Sequence, residues 1–190
     1  MSSNYAIPQY GYRYELENRQ MLARVTSPFS EMASVDFSEL PEEVDPREWL
    51  RIENQGSMGS CQGHAQSTCG ELAYYIATGG EVIQFSPLFA YYATQKLDGL
   101  QGADRGSTIS GGAKVGIDLG FCPLEVMPYP NPVRYKWELP QKAIDAAKDF
   151  KIAKAVEIDS YETCMKFIGA GLGGVEIGIL WSDRYMTPDQ

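Results

Sequence analysis

Apolar and small side chains recur at helical spacing directly after Ser60. The residues that carry this pattern are Ala65, Cys69, Leu72, Ala73, Ile76 and Ala77. Ser60 is a suitable N-cap and Gly79-Gly80 a suitable stop. The pattern therefore predicts a helix whose first turn contains Cys61.

Further along the chain, helical patterns dominate and strand patterns come late. The predicted elements are a helix from Ser86-Pro87 towards Gly99, a helix from near Ser107 to Gly120, a helix over Gln141 to Phe150, a strand over Ile152 to Ile158, a Ser160-capped helix to Gly169 or Gly171, and a strand over Gly174 to Leu180. Helices followed by late strands indicate an α+β fold.

The pattern over residues 1–43 predicts a distinct N-terminal arm. Tyr10, Tyr12 and Tyr14 alternate with other residues, as on one face of a strand, and an irregular stretch follows. Two interpretations are open for this arm. It packs along its own domain, or it docks on a partner protein during assembly.

Composition and charge narrow the function classes. The 190 residues carry a net charge of −9 and no basic stripe, which argues against a nucleic-acid partner. No apolar run reaches the roughly 18 residues of a membrane span, so no membrane partner is expected. The N-terminus lacks the basic start and apolar core of a signal peptide. We therefore expect a cytoplasmic or virion protein.

The four cysteines are Cys61, Cys69, Cys122 and Cys164. Their spacings match neither a zinc site nor a dense disulfide framework, so we expect no metal and no other cofactor. Three of them are expected to be buried and reduced. Cys61 differs, because a helix N-terminus favours the thiolate, although most free cysteines are inert.

A thiolate that attacks a carbonyl needs hydrogen-bond donors for the oxyanion that forms. The backbone N–H of Cys61 is one candidate donor. The side-chain amide of Gln55 is another, provided that the turn over Gly56 to Gly59 folds it back beside the sulfur.

The residues Gln55-Gly56-Ser57-Met58-Gly59-Ser60-Cys61 resemble the Q-G-x-C-G-S-C signature of the papain family of cysteine peptidases. Other segments resemble the family in the same order, in part its bacterial and phage branch. These are Leu40 to Arg47, Arg105 to Ile109, Leu119 to Pro123, Met127-Pro128-Tyr129 and Gly174 to Ile179.

The resemblance implies a helical left lobe that carries Cys61 and a β-rich right lobe across a cleft. It implies that Cys61 is the nucleophile and Gln55 the oxyanion donor. It also implies that Gly106, with Ser107 next to it, lies along a peptide or protein substrate. Gly59 and Ser60 complete the predicted substrate-binding residues.

Departures from the family pattern concern both the motif and the end of the chain. Met58 stands where secreted members have a disulfide cysteine, and Gln62 replaces a tryptophan. After Leu180 nothing resembles the family's catalytic histidine and asparagine. The single histidine, His64, lies three residues from Cys61 on a neighbouring helix face, so we expect it to have a structural role.

Three explanations for the missing residues are open: a fragment, a cleaved protein, or a degenerate family member, with a missing C-terminal segment preferred. The predicted organisation is an arm over 1–43, a left lobe over 44–150, and the start of an incomplete right lobe over 151–190. The leading function is peptide-bond hydrolysis through a Cys61 thioester. The alternative is an inactive structural or interaction protein, such as a phage virion or tail component.

Overall fold

The computed structural model describes residues 26–28, 38–47, 50–129 and 137–179. The elements in these ranges are, in chain order, β1 (Thr26–Pro28), α1 (Cys61–Thr78), α2 (Pro87–Asp98), α3 (Ile109–Asp118), α4 (Gln141–Ala147), β2 (Ala155–Glu157) and α5 (Tyr161–Gly169). Helices with few strands are consistent with the predicted α+β class. A β-rich lobe is not shown by the described residues.

Helix α1 begins at Cys61, as predicted, but its start is not capped in the predicted way. Ser60 makes no side-chain capping bond to the helix, and its backbone, with φ of −103° and ψ of 22°, is outside the extended region usual for an N-cap. Its hydroxyl is bonded to Tyr129. The C-terminal end follows the prediction, since Gly79 adopts the left-handed conformation with φ of 72°. Its N–H bonds back to Ile76 O, as in a glycine C-cap.

Helix α2 starts as the sequence predicts, with Ser86 Oγ accepting from Phe89 N at 3.0 Å and proline at its first position. It packs closely on α1 at Gly63. A Cβ placed there would lie 2.6 Å from Pro87 O, so only glycine allows this approach. Helices α1, α2 and α3 together surround the core, where Phe89 and Tyr91 are fully buried.

Two predicted helices have different bounds in the structure. Helix α3 is capped by Thr108, whose hydroxyl accepts from Gly111 N, so it starts after the predicted Ser107. Helix α4 ends at Ala147 instead of Phe150. After Ala147 the chain continues as a turn, in which Phe150 N donates to Ala147 O at 3.0 Å, and Phe150 O accepts from Phe121 N at 3.0 Å.

The strand predicted over Ile152 to Ile158 is confirmed in its central part. Its residues Ala155–Glu157 form β2, which pairs in parallel with β1, with Thr26 opposite Ala155. This part of the arm therefore lies on the chain's own later segment. The alternation at Tyr10 to Tyr14 falls outside the described residues.

The strand predicted over Gly174 to Leu180 is wrong for the described residues 174–179, which form no strand. A strand requires a neighbouring backbone to complete its hydrogen bonds. In the described part of the chain no neighbour pairs with this segment, and Ile177 and Ile179 are exposed. The preceding helix α5 follows its prediction, with Ser160 capping Thr163 N.

No helix within the described ranges combines the length and the apolar character needed to cross a membrane.

Candidate active site at the start of helix α1

Cys61 is the first residue of α1 and is partly exposed. The turn before it is tight, because Ser60 N donates to Met58 O at 2.8 Å and Met58 is buried. Unpaired backbone N–H groups at a helix start carry partial positive charge, which favours an anion there. The arrangement therefore places the partly exposed Cys61 where a helix start favours an anion.

Gln55 lies at the other end of this turn. Its side-chain Nε2 donates to Met58 O at 2.8 Å, and its backbone carbonyl oxygen accepts from Tyr129 OH at 2.9 Å. The amide is thus folded into the turn that precedes Cys61. Its assignment as the oxyanion donor stays a prediction, as does the assignment of Cys61 as nucleophile.

The predicted substrate-binding residues Gly59, Ser60, Gly106 and Ser107 are buried. Ser60 Oγ lies 2.7 Å from Tyr129 OH, and Ser107 Oγ donates to Gln62 Oε1 at 2.8 Å. Both hydroxyls therefore have partners inside the protein. Contact between these residues and a substrate remains a prediction.

The imidazole of His64 is bonded to the start of its own helix. Nδ1 lies 2.9 Å from Ser60 O, and because a carbonyl oxygen only accepts, Nδ1 carries the proton. The ring packs edge-on against Tyr129, with centroids 4.7 Å apart. Burial lowers the pKa of His64, which keeps the ring neutral. These contacts support the predicted structural role.

A buried polar network joins α1 to α3 and to the loop before α3. Gln62 Nε2 donates to Gln66 Oε1 at 3.0 Å, and Gln66 Nε2 donates to Gly112 O at 2.6 Å. Together with the bond between Ser107 and Gln62, this network fixes the loop at Gly106 relative to the helix that begins at Cys61. Gln62 follows Cys61 directly, and its side-chain amide takes part in this network through both its nitrogen and its oxygen.

Sequence reasoning missed Asp104, Tyr91 and the role of Tyr129. Asp104 accepts from Gly59 N with both carboxylate oxygens, at 3.0 and 2.9 Å. Tyr91 lies within the predicted helix from Ser86-Pro87 towards Gly99, and the helical pattern assigns no role to its hydroxyl. The one available signal was an acidic residue two positions before Gly106, which by itself does not distinguish a surface charge from a buried contact.

The other cysteines differ from the expectation that all three are buried. Cys122 is buried, whereas Cys69 and Cys164 are partly exposed. Although Cys69 is partly exposed as a whole residue, burial of its thiol and the charge of Glu176 raise its pKa to about 12. Burial raises the pKa of the Cys122 thiol to about 11. These two thiols are therefore protonated at neutral pH. Among the described residues, no group of three or more His, Cys, Asp or Glu side chains is arranged to hold a metal ion.

At the level of the fold, the chain is similar to a papain-like protein of known structure. No protein-family model matches the chain, and no curated protein matches it. Among solved structures, the chain is similar to xylellain, a cysteine protease from Xylella fastidiosa, with 21% sequence identity and a TM-score of 0.67. The match covers 86% of this chain and 63% of that chain, so this chain spans less than two thirds of the xylellain structure.

Proposed function

We propose that this chain carries the nucleophile of a papain-like cysteine peptidase. The observation that carries the proposal is the position of Cys61. It is a partly exposed thiol on the first residue of an 18-residue helix, within a fold similar to that of a cysteine protease. A peptide or protein is the proposed substrate.

In the proposed reaction, the Cys61 thiolate attacks the peptide carbonyl carbon and a C–S bond forms. The carbonyl oxygen takes up the electron pair, and the N–H groups of Cys61 and Gln55 donate to it. Gln55 Nε2 has two hydrogens, of which one is directed to Met58 O. The C–N bond then breaks as the amine gains a proton, and water hydrolyses the thioester to release the acid.

The proton transfers require a base, and His64 is poorly suited to this task. Its Nδ1 proton is committed to Ser60 O and its ring to Tyr129. The chain contains no other histidine. We therefore propose that the imidazole comes from protein outside these 190 residues.

The second candidate is a protein of the same fold that no longer cleaves peptides. It is favoured by one observation, the engagement of the single histidine with Ser60. In that case Cys61 is retained without a chemical role, and replacing it leaves function unchanged.

Thiol alkylation tests the reactive Cys61 thiol that the peptidase candidate requires, and replacement of Cys61 separates the two candidates. The protein is treated with limiting iodoacetamide near neutral pH, and adducts at Cys61 and Cys164 are counted by mass spectrometry. Cys164 is a matched internal control because it is also partly exposed. If a helix N-terminus lowers a thiol pKa by one unit, the gain in thiolate outweighs its reduced nucleophilicity and gives about a threefold faster reaction.

Equal rates at Cys61 and Cys164 would contradict the peptidase proposal. A second arm compares native Cys61 with Cys61→Ala in the protein's biological setting. Full function of Cys61→Ala favours the non-catalytic candidate, whereas its complete loss with retained folding favours the peptidase.

A further inference from the structure

The carboxylate of Asp104 bonds to the turn that precedes Cys61. Both of its oxygens accept from Gly59 N, at 3.0 and 2.9 Å, across 45 residues of sequence. Gly59 lies two residues before Cys61. Since Met58 and the other residues of this turn supply no cysteine besides Cys61, the turn is fixed by hydrogen bonds and not by a disulfide.

The same carboxylate also bonds to Tyr91, which is fully buried on α2. Tyr91 OH lies 2.6 Å from Asp104 Oδ1, and it accepts from Gly106 N at 3.1 Å and from Gln95 Nε2 at 2.8 Å. Because both nitrogens can only donate, the hydroxyl proton points at Asp104. The negative charge of Asp104 strengthens each hydrogen bond in this connected series.

Gln95 bonds to both Tyr91 and the loop at Gly106. Its Nε2 donates to Gly106 O at 3.0 Å as well as to Tyr91 OH. Both backbone groups of Gly106 are therefore held by side chains of α2. The Gly106 backbone and the Gly59 turn are thus connected through one carboxylate and one hydroxyl.

We propose that Asp104 is a positioning residue of the Cys61 site. It holds the turn before the thiol through Gly59 N and the loop at Gly106 through Tyr91 OH, so that the two stay in register along a peptide substrate. This inference rests on the proposed function, because it gives Gly106 the role of pairing with the substrate backbone.

The test uses two variants that cut the connection at different points. Asp104→Asn removes the charge and one acceptor oxygen but keeps the shape of the side chain. Tyr91→Phe removes one oxygen and separates Gly106 from Asp104, while the bonds to Gly59 stay in place. Asp118→Asn is the control, because Asp118 is an exposed carboxylate on α3 that pairs with Lys114.

The first readout is amide hydrogen exchange at Gly59 and Gly106, followed by NMR. In Asp104→Asn we expect faster exchange at both amides. In Tyr91→Phe we expect faster exchange at Gly106 only. One hydrogen bond to a charged or polarised group corresponds to about a tenfold change in exchange. Unchanged exchange at both amides in Asp104→Asn would overturn the inference.

The second readout distinguishes the alignment of a bound peptide from the intrinsic reactivity of the Cys61 thiol. Cys61 is alkylated with chloroacetamide and with a chloroacetyl tripeptide amide, which carry the same electrophile. In the unchanged protein the peptide reagent should react faster. Both variants should lower the ratio of the two rate constants about tenfold, whereas Asp118→Asn should not alter it. A merely structural role would not change this ratio in a folded variant.

The outcomes for the two proposals are distinct. If the peptide reagent has no advantage in the unchanged protein, the proposed function fails, and the exchange data alone decide whether Asp104 fixes the two segments. If the advantage is present but persists undiminished in both folded variants, the positioning role is wrong while the proposed function stands. Circular dichroism confirms folding, and Tyr91→Phe is the milder substitution if Asp104→Asn does not fold.

Discussion

The buried carboxylate of Glu71 should make the stability of this protein depend on pH in an unusual direction. Glu71 lies on α1 and is 7% exposed, and its Oε1 accepts from Phe85 N at 2.8 Å. Burial raises its pKa from 4.5 to about 7, and the charge of Glu53 adds to this. The Phe85 N–H and the Arg51 guanidinium act in the opposite direction but do not cancel it.

The surroundings of Glu71 explain why a proton is favoured. Arg51 forms an ion pair with Glu53, so two carboxylates face one guanidinium. Glu53 Oε2 and Arg51 Nε are buried without a hydrogen-bond partner among the described residues. Burial also raises the pKa of Glu53. Protonation of Glu71 relieves the excess negative charge.

The direction of the pH dependence follows from the linkage between proton binding and folding. The folded state binds the Glu71 proton more tightly than the unfolded state, so this stabilisation is fully present below the unfolded pKa and is lost as pH rises through about 7. This difference between the folded and the unfolded pKa of Glu71 corresponds to a contribution of about 3 kcal/mol at most to the free energy of unfolding. Partial solvent screening roughly halves it, so we expect a loss of about 1–2 kcal/mol between about pH 5 and about pH 8.

Urea unfolding of the native protein and of Glu71→Gln measures this effect. Glutamine keeps an acceptor for Phe85 N but cannot ionise. The variant should gain stability relative to the native protein by about 1–2 kcal/mol as pH rises from about 5 to about 8. Glu125→Gln is the control, because Glu125 is exposed. If the difference in the free energy of unfolding between Glu71→Gln and the native protein stays constant over this pH range, the reasoning is refuted.

Three further substitutions test the packing around the site, each by the free energy of unfolding. Gly63→Ala should destabilise by about 1–3 kcal/mol, because its Cβ would lie 2.6 Å from Pro87 O; an unchanged value would mean that α1 and α2 separate easily. Ser86→Ala should cost at least about 1–2 kcal/mol, because its hydroxyl both caps Phe89 N and donates to Met127 O; a cost near zero would contradict both contacts. Gly120→Ala should cost more than about 3 kcal/mol, since φ is 94° and its Cβ would lie 2.0 Å from backbone; a folded variant of native stability would contradict this.

Local signals in the sequence were sufficient for the helices. Ser86 followed by proline predicted the start of α2, and Gly79 predicted the end of α1, because caps depend on residues within one turn. The strand over Gly174 to Leu180 failed for the opposite reason. Alternation indicates that a segment is suited to a sheet, but the sheet requires a partner strand, which the described residues do not supply.

The site itself was predicted only in part, for a comparable reason. Gln55 and Cys61 lie six residues apart, so their shared turn is visible in the sequence. Asp104 reaches Gly59 across 45 residues, and its other bond goes to a tyrosine on α2. Only the packing of α2 against α1 brings these groups together, and no local pattern encodes that contact.

Ser60 makes a long-range contact that no local pattern predicts. A serine before a helix usually accepts from the helix N–H groups, yet here its hydroxyl lies 2.7 Å from Tyr129 OH. Tyr129 also donates to Gln55 O, so one phenol holds both ends of the turn before Cys61. A side-chain cap would have stabilised α1 alone. The bond to Tyr129 fixes the helix start relative to the loop that follows α3, and the role proposed for Cys61 requires such a fixed helix start.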